Sequence, residues 1–423
     1  MKSSSKRLIY ILIYLIIIVI TLEITPFILS SFILGHSFSR SSIHNELAQS
    51  NDLNVVSEDD QGSSEQSEYL GDHILHPYLG FVSIPHDTYN EFCLPGINPL
   101  TKKSPDCLNV VIMGGSVAKD LYSYSGDRIK EKLKATERYR NKRINLVVFA
   151  LGGFKQPQQL LALNYFMALG AEYDIVINLD GFNEIVLPYS DNLPFHVFPS
   201  YPRHWNIYAR KKLDSKVVLL LGKQAVVKEE QEKCKRKLSQ SIARYSNFRL
   251  FIWQISDNQK TNDIAALELE IRNTIENSPT DYQATGIYTS INDTASFFED
   301  QAVFWRKSSE QIDHLSKSAG FSYFHFLQPN QYVENSKKFT KEELEIAYEK
   351  GPFSYKDAAQ TGYPFLIEEG SKLRKSNINF VDLTMMFKNE SRSVYNDKCC
   401  HFNQLGYDLI ADKIINTIIS EYN

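Results

Sequence analysis

The feature that most constrains this chain is a series of short, predominantly apolar runs set at helix-length intervals. Residues 109–113 read NVVIM, 144–150 read INLVVFA and 174–179 read DIVINL. A strand with one wet face would place a polar residue at every second position, and these runs do not. They predict strands buried on both faces, the condition of a parallel sheet, with one helix between each pair. That is the βαβ rhythm of a doubly wound α/β fold. Further strands are expected at 321–327 (FSYFHFL) and 378–383 (INFVDL), and 406–419 has the pattern of a closing amphipathic helix.

The rhythm breaks between about 188 and 304, which reads as a large insertion in a domain spanning 70–423. A chain of 423 residues suits one enlarged α/β domain with additions. The insertion carries Phe195, Phe198, Tyr201, Trp205 and Tyr208, expected to form a local apolar core, with a sugar-stacking rim as the sharper alternative. A basic stretch over 210–244 reads as a solvated helix face, or as a surface for anionic lipid or polymer. Its KVVLLLGKQAVV segment is too short for a membrane span.

The N-terminus reads differently. Lys2, Lys6 and Arg7 precede an apolar run over 8–22, which resumes after Glu23 and continues to Leu34. That length spans a bilayer, the basic end favours the cytoplasmic side, and no A-x-A cleavage site follows. The expectation is a cytoplasmic stub and a single transmembrane anchor over 1–35, with all that follows outside the cytoplasm. Glu23 is costly at a bilayer centre, so it belongs near the outer interface or against a membrane partner. Residues 36–69, rich in Ser, Asn, Asp, Gln and Glu, are expected to be a disordered linker. Cys93 and Cys107 bracket a turn-rich segment and are spaced to close a loop in an oxidising compartment. The count of five cysteines leaves at least one thiol without an internal partner. A net charge of -4 gives no basic field, which excludes nucleic acid as the expected partner.

Four segments carry residues suited to chemistry. Gly114-Gly115-Ser116 ends the first strand and opens a helix, so Ser116 falls where ligands bind in open α/β sheets. The stretch matches neither a dinucleotide-binding nor a P-loop motif, and lacks the second glycine of the G-x-S-x-G elbow. Gly152-Gly153 follows the second strand and Asn183 follows the third. A glycine lets its N–H approach an oxyanion and an asparagine amide adds an uncharged donor; chain turning and helix capping are the plainer readings of both. Near the C-terminus, Asp397 and His401 supply an acid and a base on one loop. With a single histidine there and no matching cluster upstream, no metal is expected, and no cofactor motif is present. His325, on an apolar strand, reads as a satisfied core histidine.

In this order the four segments resemble the SGNH/GDSL hydrolase family, from about residue 109 to the end, the insertion excepted. The resemblance implies a flavodoxin-like three-layer fold. It also implies Ser116 as nucleophile, Ser116, Gly153 and Asn183 as the oxyanion hole, and His401 with Asp397 as the base and its orienting acid. The chain departs from the family in reading GGS for GDS, in carrying Glu184 where an aspartate is usual, and in a four-residue spacing from Asp397 to His401. Asn396 and Asp382 are the alternative partners for the histidine. The implied activity is that of a membrane-anchored serine esterase acting through an acyl-enzyme on acylated carbohydrate or lipid. The alternatives are an O-acyltransferase of envelope glycans and a non-catalytic scaffold.

Overall fold

The computed structural model describes residues 2–35, 37–49, 73–209, 215–276, 282–287, 291 and 293–421. They divide into two compact units, one of 68–211 and 279–423 and one of 1–67 and 212–278.

Chain order gives α1 (Lys2–Ile33), α2 (Arg40–Gln49), β1 (His73–His76), β2 (Gly80–Ser83), β3 (Cys107–Gly114), α3 (Ser116–Lys134), β4 (Arg143–Ala150), α4 (Gln158–Ala168), β5 (Ile175–Asp180) and α5 (Phe182–Leu187). Then follow α6 (Ser215–Ser239), α7 (Asn247–Glu276), α8 (Thr294–Ala319), β6 (Ser322–Leu327), α9 (Lys341–Ile346), α10 (Ser354–Lys375), β7 (Phe380–Asp382) and α11 (Gln404–Glu421).

In the larger unit β1 and β2 form an antiparallel hairpin, and the other five strands form a parallel sheet in the order β4-β3-β5-β6-β7. Counted along the chain this is order 2-1-3-4-5, the flavodoxin-like arrangement. The runs are strands because they can be buried on both sides. Every residue of β3 and β5 is buried, and Val110, Val111, Ile112 and Met113 have no exposure. Each such side chain contributes about 1.5–3 kcal/mol relative to an exposed one. The connections between the parallel strands run through helices that pack against the sheet. α3 packs against α11, while α8 packs against α10 and α4.

The register aligns the strand ends. Gly114 pairs with Ala150 on one side and Leu179 on the other. The turns after β3, β4 and β5 therefore leave the sheet from one line, at the point where the strand order reverses and crevices form. The α3–α11 contact brings in the C-terminal loop. Tyr124 stacks on Tyr407 with centroids 5.0 Å apart, Arg128 Nε and Nη2 donate to Asp412 at 2.6 and 2.8 Å, and Ser125 Oγ donates to Asp408 at 2.8 Å.

The smaller unit is helical. Its core is Phe38, Ile43 and Leu47 from the start of the chain with Leu250, Phe251 and Trp253 from α7. Among the described residues, no helix is long and apolar enough to cross a membrane. This corrects the expected anchor over 1–35 and the single-pass, extracytoplasmic placement that rested on it. α1 contains Pro26, and Glu23 interrupts its apolar stretch. The Glu23 carboxylate accepts from the Asn247 amide at 2.6 Å and from Ser246 Oγ, capping α7 instead of facing lipid. The expected linker over 36–69 is described only at 37–49, where α2 forms because Ile43 and Leu47 share one helical face and are buried. Positions 36 and 50–69 lie outside the described residues.

The expected insertion is divided. Residues 188–209 stay with the sheet, α6 and α7 group with the N-terminal helices, and α8 is the crossover helix leading into β6. None of the five cysteines is in a disulfide. The expected Cys93–Cys107 closure is absent because Cys107 opens β3 and its thiol turns toward Lys102 O and Asn109 Oδ1, both at 3.8 Å. Asn90 holds that segment instead, its Oδ1 accepting from the amides of Phe92 and Leu94 at 2.9 and 3.4 Å.

Candidate active site

Gly114 ends β3 at φ +150, where a Cβ would lie 2.1 Å from Leu179 O and 2.6 Å from Ala118 Cβ. Only glycine permits so abrupt a passage from strand to helix. Ser116 is thereby the first residue of α3, beside the unpaired amides and positive end of the helix dipole.

His401 Nε2 lies 2.8 Å from Ser116 Oγ, and His401 Nδ1 hydrogen-bonds Asp397 Oδ2. A carboxylate only accepts, so Nδ1 carries the proton and Nε2 presents its lone pair to the serine hydroxyl. Asp397 Oδ1 accepts from the amides of Cys399, Cys400 and His401 at 2.9, 3.0 and 3.2 Å. The acid is thus fixed by the backbone of its own loop. That loop is pinned from both ends. Asn396 N donates to His401 O at 3.0 Å, and the loop after β6 supplies Asn330 Nδ2 to Cys399 O, Gln331 Nε2 to Asp397 O and Tyr332 Oη to Lys398 O, at 3.2, 3.0 and 2.6 Å. Asp382 Oδ1 accepts from Thr384 N, two residues along, at 2.8 Å.

Asn183 stands in the first turn of α5, and its Nδ2 donates to Phe154 O at 2.8 Å. A Cβ on Gly115 would fall 2.2 Å from that nitrogen and 3.1 Å from Phe154 O. The turns after β3, β4 and β5 therefore meet over Gly115, next to Ser116. Gly153 lies in the β4 turn at φ +76, and a Cβ there would be 2.9 Å from Arg203 Cδ. Arg203 is held by Asp191 at 2.5 Å and by Tyr355 Oη at 2.8 Å.

Glu184 is a buried tie between two of these turns. Its Oε2 accepts from Gly181 N at 2.8 Å, and its Oε1 from Gln156 N at 3.0 Å and Gln159 Nε2 at 3.2 Å. Burial, and then the Asp180 carboxylate, pushes the Glu184 carboxyl up to about 8. Burial also pushes the Lys155 ammonium, which donates to Pro199 O, down to about 7. Lys155 does not announce itself in the sequence, since it is one polar residue in a polar turn.

His325 is fully buried, with Nε2 2.8 Å from Asp180 Oδ1 and Nδ1 2.8 Å from Ser309 Oγ. Trp305 Nε1 donates to the same Asp180 oxygen at 2.7 Å. This second serine–histidine–aspartate array is sealed in the core and joins β5, β6 and α8. The insertion's aromatics form a local cluster. Phe198 meets Tyr201 edge-on at 5.7 Å, Trp205 Nε1 donates to Gln283 O at 2.9 Å and Tyr208 packs near Phe81 at 5.8 Å. Cys399, Cys400 and His401 each offer a ligand atom within 4.8 Å of the other two.

No family model matches the chain, and no curated protein matches it. The crystal structure of a candidate acylhydrolase from Bacteroides fragilis is similar to 75% of this chain and 91% of its own, at 14% identity and a TM-score of 0.36. A likeness that distant bears on neither activity nor substrate.

Proposed function

We propose that this chain is a serine hydrolase that cleaves ester-linked acyl groups through an acyl-enzyme. The observation that carries the reading is the unbroken line from Ser116 Oγ through the His401 ring to Asp397, set beside the Asn183 amide at the carboxyl edge of a parallel sheet.

In this reading His401 Nε2 takes the Ser116 proton as Oγ attacks the ester carbonyl. Asp397 keeps the ring in the required tautomer and steadies its cationic form. The oxyanion rests on the amides of Ser116 and Gly153 and on the second N–H of Asn183 Nδ2, whose first N–H is engaged by Phe154 O. His401 then returns the proton to the departing alcohol. Water, activated by the same nitrogen, attacks the acyl-serine, Oγ leaves and is reprotonated, and the carboxylic acid departs. The resemblance to SGNH/GDSL hydrolases supports an acylated carbohydrate or lipid as the natural ester.

The purified chain is expected to hydrolyse p-nitrophenyl acetate, with the rate lost in Ser116→Ala and unchanged by adding sugar alcohols. An undiminished rate in Ser116→Ala would remove the proposal. Acceleration by a sugar acceptor would move the activity to acyl transfer.

A further inference from the structure

Among the described residues one group of side chains gathers metal-ligating atoms, and it includes the ring of His401. Cys399 Sγ and Cys400 Sγ are 3.1 Å apart, and Cys400 Sγ is 3.8 Å from His401 Nε2. Zinc–sulfur bonds of about 2.3 Å and zinc–nitrogen bonds of about 2.0–2.1 Å, in a tetrahedral site, separate neighbouring ligand atoms by roughly 3.5–3.8 Å. The Cys400–His401 spacing already meets this, the sulfurs need to part by less than about 1 Å, and the Cys399 sulfur, within 4.8 Å of the ring's ligand atom, needs to close by about 1 Å at most. Two thiolates and an imidazole form a donor set that selects thiophilic cations of the zinc class and rejects magnesium and calcium.

The surroundings of the histidine point the same way. A ligating histidine characteristically donates its other ring N–H to a carboxylate, which fixes the ring and strengthens the ligating nitrogen. His401 does this through Nδ1 to Asp397, and Asp397 is itself held by three backbone amides. Cys399 is half-buried, and Cys400 and His401 are buried. Nε2 has one lone pair, at present facing Ser116 Oγ at 2.8 Å. It cannot accept the serine proton and ligate a cation together.

We propose that Cys399 Sγ, Cys400 Sγ and His401 Nε2 form a site for a thiophilic divalent cation, with water in the fourth position, whose occupation withdraws the base from Ser116. Binding releases two thiol protons to solvent, leaves the ring neutral and leaves Ser116 protonated. The site stands on the ligand geometry alone; the loss of activity rests on the serine-hydrolase reading.

The test uses the full chain, reduced and freed of metal with EDTA. Cadmium chloride is added while the ultraviolet thiolate-to-cadmium absorption and p-nitrophenyl acetate hydrolysis are followed in parallel. One equivalent is expected to saturate the absorption, and hydrolysis to fall at least tenfold with the same midpoint and return with EDTA. Zinc should compete for the same equivalent. Cys399→Ser and Cys400→Ser are each expected to weaken binding at least tenfold and to move both midpoints together. No absorption in the wild type, or absorption unchanged in both variants, overturns the site. Saturation by cadmium with undiminished hydrolysis overturns the coupling. Normal cadmium binding by a chain with no hydrolysis before metal addition upholds the site and rejects the hydrolase reading instead.

Discussion

His401 Nε2 and Ser116 Oγ are 2.8 Å apart although 285 residues separate them in the chain. Two helices make this meeting reproducible. Ser116 is the first residue of α3, His401 lies just before α11, and those helices are fastened by Tyr124 on Tyr407 and by Arg128 with Asp412. The spacing of nucleophile and base is thus a consequence of helix packing, and the loop's own hydrogen bonds set the finer alignment.

Asp397→Asn is expected to lower kcat for p-nitrophenyl acetate by about 10³–10⁴ with KM changed only a few-fold. An asparagine amide can donate to Nδ1, which moves the ring proton to Nε2 and removes the lone pair that Ser116 needs. A loss of less than tenfold in steady-state kinetics would show that Asp397 does not orient the base.

Gly115→Ala places a methyl group where Asn183 Nδ2 now lies, 2.2 Å away. The amide has to move off its position beside Ser116, so kcat should fall on the order of 10²–10³, as expected for loss of one oxyanion donor. Asn183→Ala should fall by a similar amount, and the double variant by little more than either. Fully additive losses in that double-mutant cycle would show that the two residues act separately.

Glu184 makes stability depend on pH. Its carboxyl is held up at about 8 in the folded chain against 4.5 for an unhindered glutamate. Between those values the folded state keeps a proton that the unfolded state has lost. Stability is therefore greatest below about pH 4.5 for this group, falls as pH rises toward 8, and is flat above. The melting temperature measured between pH 5 and 8.5 should decline more steeply in the wild type than in Glu184→Gln. Parallel slopes would place the pH dependence elsewhere.

Glu23→Ala removes the acceptor that caps α7 through the Asn247 amide. A lost cap costs about 1 kcal/mol, so thermal or denaturant unfolding of the helical unit should shift down while Ser116-dependent hydrolysis is retained. An unchanged transition would mean that the contact contributes nothing.

The sheet was legible because its strands are mostly apolar and lack a polar residue at every second position. All five expected strands fall within a few residues of β3 to β7, and the predicted closing helix lies inside α11. Ser116, Asn183, Asp397 and His401 were legible as candidates because turns after parallel strands share one edge. Glu184, Gly115 and the Asn330–Gln331–Tyr332 supports were not, since their significance is a distance to a residue far along the chain. The N-terminus misled for a related reason. Hydropathy registers a run of apolar residues but not that Glu23 is taken up by α7, or that α2 hides a two-residue apolar stripe in a polar segment.

The most direct measurement is covalent labelling with a fluorophosphonate followed by peptide mass mapping. One adduct is expected, on Ser116, forming fast in the wild type, slowed at least a hundredfold in His401→Ala and absent in Ser116→Ala. An adduct on another serine, or labelling of Ser116 at the same rate without the imidazole, would contradict it.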